Sequence, residues 1–372
     1  AGSVVIVHNG IIENYRELRG ELEAAGCVIA SDTDTELIAH CIEQSIEAGN
    51  DLLAAVREAC GRLTGAYALA ALSEKDPTTI VAAKNGGSPM ILGLGEKQSF
   101  LASDIPAILP YTRKMAFIDD GEFAVLRADG IEILTSDGQP SPREFKTVQW
   151  DPVSAEKGGY DRFMQKEIFE QPRAITDTIG TRIDLGSAEV DLDGCVFSRE
   201  QVEKMSGVTL VACGTAYYAC MVGRYMIEQI AGIPCEVDLA SEFRYRRPII
   251  GDGALVVPVS QSGETADTLA ALREGRERGA RIFAISNSRD STIARESDDV
   301  LYTHAGPEIG VASTKCFTAQ IVALYLLAMK LAVVRGRLSE EETRSHLDHL
   351  IRLPRLAERV LRLDGHIANV AS

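Results

Sequence analysis

From about residue 199 onward, short and nearly continuous apolar runs alternate with longer stretches of helical spacing. The runs are VTLVACG (208–214), ALVVPVSQSG (254–263), RIFAISN (281–287) and DVLYTHA (299–305). They lead into predicted helices ending near Ile230 and Gly279, a short helical piece, and a helix over Thr314–Val334. Apolar strands without polar alternation, separated by helices, predict a doubly wound parallel sheet covered on both faces. Residues 1–140 have a different rhythm. VVIVHN, AYALAALS, TIVAAK, PMILGLG, SFLASD, MAFIDD and EFAVLRADGIEILTSDG are short strands punctuated by Gly and Asp turns, which predicts a largely antiparallel sheet. Leu18 and Leu22 give Glu13–Gly26 a helical face, and Thr33 with Glu36 predicts a capping box opening a helix through Glu43. Residues 139–162 are polar, bear prolines and read as a linker. Phe163–Thr181 reads as a helix that Pro172 ends or kinks, and Ser339–Leu363 as a closing amphipathic helix. The chain is thus α+β then α/β. Its divisions are 1–140, a linker and connecting helix over 141–190, a strand–helix domain over 191–340, and a terminal helix over 341–372.

Composition narrows the classes. At 372 residues the chain is too long for one ordinary core, and 45% hydrophobic with 25% charged residues is average globular usage. A net charge of -16 repels phosphate backbones, so nucleic acid is not expected as a partner. Local N–H and hydroxyl donors still suit a small phosphorylated ligand. The eight cysteines are scattered without a CxxC pair, which fits reduced thiols in a cytoplasmic protein. No signal peptide is visible. The longest apolar stretch, Ala319–Val334, contains Gln320 and Lys330 and reads as a buried helix, so no membrane partner is expected.

Three turns carry the candidate chemistry of the second half. In VVPVSQSGETADT the strand ends at Ser260, and Gln261, Ser262, Gly263, Glu264 and Thr265 turn into a helix. Three hydroxyls beside the positive end of a helix dipole suit an anion, whereas plain helix capping by Ser262 or Thr265 is an equal alternative. The turn Ala212–Tyr217 holds the same place on the preceding strand, with Cys213 read as a structural thiol rather than a nucleophile. A third loop, Gly306–Lys315, places Ser313 and Thr314 where they cap a helix or bond a ligand hydroxyl, and Lys315 is expected to be solvated.

Together SQSGETADT, ACGTAYY and GVASTK resemble the sugar isomerase (SIS) phosphosugar-binding domain over roughly 191–340. That resemblance implies that Ser260, Ser262 and Thr265 hold a sugar phosphate. It also implies that Thr215, Gln261, Val311 and Ser313 touch the sugar, while Ala216, where the family often has serine, contributes only its N–H. In the first half, HNGIIEN (8–14) and SDTDTE (31–36) resemble the class II, Ntn-type glutamine amidotransferases. The likeness makes the Asn9 side-chain amide and Gly10 N–H oxyanion donors and Asp34 the partner of the glutamine α-ammonium. By itself, Asn9-Gly10 is also a strong hairpin-turn signal. With MQKEIFEQP (164–172) and ASEFRY (240–245), the order of modules resembles the isomerising glutamine–fructose-6-phosphate aminotransferases along almost the whole chain.

The resemblance implies hydrolysis of glutamine, transfer of ammonia, and amination and isomerisation of fructose 6-phosphate to glucosamine 6-phosphate. It implies a homodimer joined through SIS domains, and calls for no cofactor or metal. The chain starts at Ala1 straight into a strand and stops at Ser372 soon after a helix, so both ends are expected to be truncations. The family's leading cysteine nucleophile and second SIS domain are then missing, and the polypeptide by itself is expected to be inactive. Two other readings compete. A non-catalytic phosphosugar-binding SIS regulator has no need of HNG and SDTDTE, and a different class II amidotransferase has no need of the SIS turns.

Overall fold

A computed structural model describes residues 2–86, 90–103, 105–148, 157–289 and 291–371. The middle of the linker expected over 139–162 (149–156), with Pro89 and Asp104 of two expected strands, lies outside the described residues. The chain forms two compact units, Ala1–Pro152 and Val153–Ser372.

Unit 1 holds two antiparallel sheets. The five-stranded sheet runs β1-β2-β3-β7-β8: β1 (Val4–Gly10), β2 (Tyr67–Ser73), β3 (Asp76–Asn85), β7 (Phe123–Arg127) and β8 (Gly130–Leu134). The second runs β5-β4-β6-β9: β4 (Ile91–Leu94), β5 (Ser99–Ala102), β6 (Lys114–Phe117) and β9 (Lys146–Thr147). Helices α1 (Tyr15–Ala24), α2 (Asp34–Glu47) and α3 (Leu52–Arg62) accompany them, with a single turn α4 (Ile105–Ile108). Alternation along the strands divides the burial. Leu69, Val81, Ala83 and Val125 join a core with Ile38, Ile42 and Val56 of the helices, whereas Ala68, Ala82 and Ala124 pack with Leu92 and Ile133 on the other face. At the sheet margin, β1 pairs among the described residues with β2 alone, and on its outer face Val5 is 67% and Val7 72% exposed.

The expected capping box at Thr33 is only half formed. Thr33 caps α2 through the Thr35 N–H, but Glu36 reaches further back and accepts from the Ala30 and Ser31 N–H groups, both at 2.7 Å. Helix α3 was not anticipated, although Asp51 caps it and Leu52, Ala55, Val56, Ala59 and Cys60 form a buried face at helical spacing. The expected linker is also too long at its start: Pro140 bridges to Leu134, and Lys146–Thr147 forms β9.

Unit 2 opens with α5 (Phe163–Phe169) and α6 (Gln171–Ile179), a small hairpin of β10 (Ile183–Asp184) and β11 (Glu189–Val190), and α7 (Arg199–Lys204). As expected of Pro172, the 163–181 stretch is interrupted: α5 ends at Phe169 and Pro172 occupies the first turn of α6, where its missing N–H costs nothing. The parallel sheet then comprises β12 (Val208–Ala212), β13 (Cys235–Leu239), β14 (Leu255–Ser260), β15 (Arg281–Ser286) and β16 (Asp299–Tyr302), in the order β13-β12-β14-β15-β16. Its helices are α8 (Gly214–Met226, continued by a π turn over Ile227–Ala231), α9 (Ala240–Phe243), α10 (Ala266–Glu277), α11 (Thr292–Glu296), α12 (Lys315–Arg335), α13 (Glu340–Leu361) and α14 (Asp364–Ala371). All six residues of β14 are buried, which is why its sequence shows no polar alternation. Strand β13 escaped the sequence reading because Glu236 and Asp238 interrupt it; both bind Arg246 at the sheet edge.

Helix α12 is, among the described residues, the one helix long and apolar enough to cross a membrane by length and composition. Leu324, Leu327, Ala328 and Leu331 are fully buried in the unit 2 core, and α12 packs on α8 and α6, the behaviour of a central core helix.

Candidate functional site

In a doubly wound sheet, ligands bind where the strand order reverses, at the carboxyl ends of the strands. Here chain order reverses between β12, whose next strand lies on one side, and β14 on the other. A cavity of about 420 Å³ opens there, lined by Thr215 and Ala216 at the start of α8, Ser260, Gln261, Ser262 and Thr265 between β14 and α10, and Val311 and Ser313 before α12. The structure therefore brings all the sequence-predicted sugar-phosphate residues around one space.

The turn after β14 is organised by its own hydroxyls. Ser260 Oγ accepts the Gly263 N–H at 3.0 Å and lies 3.1 Å from Thr265 Oγ1; Ser262 Oγ accepts the Glu264 N–H at 3.2 Å. Gly263 has φ +69°, and a Cβ there would lie 2.1 Å from Ser291 Oγ, so only glycine fits. Thr265 stands at the N-cap of α10 without a side-chain cap, as does Cys213 at α8. These two helix starts present positive dipole ends that no side chain of the cap residue answers.

The start of α12 differs. Glu308, buried and lining the same cavity, accepts the N–H groups of Thr314 at 2.8 Å and Cys316 at 3.2 Å. Ser313 Oγ accepts the Phe317 N–H, so of its two sequence alternatives the capping role is formed. The protein's own carboxylate already fills this helix start, which leaves α8 and α10 to receive an anion. Lys315 is not solvated as expected: it is 2% exposed and pairs with Glu170 at 2.5 Å. Burial pushes the Cys213 thiol above its ordinary range, away from nucleophilic character. Glu308 escaped the sequence reading; an acid shortly before a helix start was the available signal.

In unit 1, Asn9 and Gly10 close β1, where Gly10 pairs with Tyr67 of β2. Asn9-Gly10 is therefore the end of a long-range strand pair and not a hairpin turn. Gly10 has φ +146°, and a Cβ there would meet the Ala66 carbonyl oxygen at 2.2 Å. Asp34, at the start of α2, accepts the Ile12 N–H at 2.8 Å, so it lies beside the chain leaving Gly10. His8 Nδ1 is 2.9 Å from Thr35 Oγ1, and burial lowers the pKa of this imidazole below its ordinary value. Asn9, Gly10 and Asp34 thus occupy one end of the five-stranded sheet. Burial raises the Cys60 thiol to about 11, and those of Cys195 and Cys235 to about 12.

Residues 1–110 match the glutamine amidotransferase domain family, and residues 204–330 match the SIS domain family. The chain is 50% identical over 371 residues, all of its length, to the glutamine–fructose-6-phosphate aminotransferase [isomerizing] of Symbiobacterium thermophilum. It is 47% identical over 370 residues to a protein of the same name from Thermus thermophilus. The chain is similar to these aminotransferases along its whole length. It spans about 60% of the length of these curated relatives. Among solved structures, the C-terminal domain of glucosamine-fructose-6-phosphate aminotransferase from Francisella tularensis matches with a TM-score of 0.55 and 41% identity. That match covers 58% of this chain and 60% of the other.

Proposed function

We propose that the chain contributes to glutamine-dependent amination and isomerisation of fructose 6-phosphate to glucosamine 6-phosphate, with release of glutamate, the entry step of amino-sugar synthesis. The observation that carries this reading is the cavity at the strand-order reversal of unit 2, where three hydroxyls crowd an uncapped helix start. Ser260, Ser262 and Thr265 hold the phosphate there; Thr215, Gln261, Val311, Ser313 and the Ala216 N–H meet the sugar. In unit 1, Asn9 and Gly10 donate to the oxyanion formed when the glutamine amide is attacked, and Asp34 pairs with the glutamine α-ammonium. Burial raises the thiols of Cys60, Cys195, Cys213 and Cys235, which leaves these four poor nucleophiles.

A second copy of the chain is the proposed partner. Supporting it is an exposed apolar stripe on α8, Tyr218, Met221, Val222 and Tyr225, which repeats at helical spacing. A cytoplasmic location goes with it, supported by eight unpaired cysteines. Titration of the chain with fructose 6-phosphate by calorimetry tests the main reading. Saturable binding, weakened by Ser262→Ala, is expected; a folded protein without binding overturns it. Sedimentation of the chain, with Tyr225→Glu as control, tests self-association.

A further inference from the structure

The loop that brings Gly310, Val311, Ala312 and Ser313 to the cavity is held from outside by the first helices of unit 2. Glu167 of α5 is 2% exposed, and its Oε1 accepts the N–H groups of Ile309 at 2.6 Å and Gly310 at 3.0 Å. Gly310 packs so closely that a Cβ would lie 2.6 Å from Glu167 Oε2. Glu170 Oε2 holds the buried Lys315 ammonium at 2.5 Å, and Glu170 Oε1 lies 3.4 Å from Lys166 Nζ. Gln171 Oε1 accepts the Thr318 hydroxyl at 2.6 Å. Three polar side chains on one short stretch thus grip a cavity loop and the helix start that follows it, far away in sequence. None of them lines the cavity.

Elementary energetics make this grip consequential. A buried carboxylate without partners is costly, and backbone N–H groups without partners are costly too, so each side requires the other. A charged acceptor on two consecutive amides fixes the two adjacent peptide planes, 308–309 and 309–310, more tightly than a neutral one. The Ile309–Gly310 peptide immediately precedes Val311, and its orientation sets where Val311 and Ser313 face the cavity.

We infer that Glu167 is a positioning residue for the sugar end of this cavity: it fixes the 309–313 loop and so sets affinity for the carbohydrate part of the ligand, while the phosphate end, built on the 260–265 turn, is independent of it. This inference rests on the sugar-phosphate reading above. Glu170 and Gln171 secure the start of α12, which follows this loop, through Lys315 and Thr318.

The test is titration of the full chain with fructose 6-phosphate and, separately, with inorganic phosphate, followed by NMR. Glu167→Ala is expected to weaken fructose 6-phosphate about tenfold while phosphate affinity stays within about twofold, and Glu167→Gln, which keeps an accepting oxygen, should recover part of the loss. Gly310→Ala, which pushes the same peptide off Glu167, is expected to repeat the selectivity loss and serves if Glu167→Ala does not fold. Equal weakening of both ligands, or of neither, overturns the positioning role. If the wild-type chain binds no fructose 6-phosphate at all, the sugar-phosphate reading itself falls, and that result is distinct from the other two.

Discussion

Helices α10 and α12 both begin just beyond parallel strands, carry serine and threonine at their starts, and face the same cavity. At α10 the partners in the turn are neutral hydroxyls, and Thr265 leaves the helix without a side-chain cap. At α12 the buried carboxylate of Glu308 binds two of the first amides. A phosphate approaching α12 meets a like charge on the first amides, whereas at α10 the first-turn Asp267 is paired with Arg244 and the Glu264 carboxylate accepts the Thr292 N–H. A helix start is thus an anion site only where the fold has not already supplied its own anion. The difference supports the proposal that phosphate and sugar take opposite ends of one cavity.

The most disruptive way to break the contrast is Gly263→Ala. With φ +69° and Ser291 Oγ in the way, it should cost about 2–4 kcal/mol of stability and abolish phosphate binding, read from a denaturant melt and a titration. Removing the Glu308 carboxylate with Glu308→Ala should cost about 1–3 kcal/mol, because buried amides lose their acceptor. It should also let phosphate perturb the α12 amides, which the unaltered protein does not allow. Ser262→Ala deletes one neutral donor and should weaken phosphate by about 0.5–1.5 kcal/mol, with the fold unchanged by circular dichroism.

Smaller effects sharpen the same point in unit 1. The His8 pKa is lowered in the folded chain from its ordinary 6.5, so the unfolded chain takes up a proton first as pH falls. Stability linked to His8 is therefore present above about pH 6.5 and declines below it, and His8→Asn should flatten that decline in thermal melts across about pH 7.5 to 5.5. Smallest of all is Val7→Thr on the exposed face of β1, expected to change stability by less than about 0.5 kcal/mol while reducing aggregation seen by light scattering.

Much of this was legible in sequence where a pattern follows directly from burial. The nearly continuous apolar runs of β14 and β15 announced a parallel sheet, and SQSGETADT announced the turn beyond it. What escaped were contacts between residues distant in sequence. The expectation that Glu36 closes the Thr33 box followed from local spacing, but the carboxylate found Ala30 and Ser31 instead. Lys315 looked like a surface lysine because its partner, Glu170, lies far upstream on a segment read only as a connecting helix. Asn9-Gly10, taken alone, looked like a hairpin turn until pairing with β2 placed it at a strand end. Local spacing sees caps and turns; ion pairs across the fold are set by topology.

The contrast between the two helix starts is tested most directly by ¹H–¹⁵N NMR of the chain titrated with fructose 6-phosphate. The account predicts the largest shifts at the amides of residues 262–266, with the α12 amides of Thr314 and Cys316, already bound to Glu308, moving least. Shifts concentrated at Thr314–Cys316, or none around Ser260–Thr265, would contradict it.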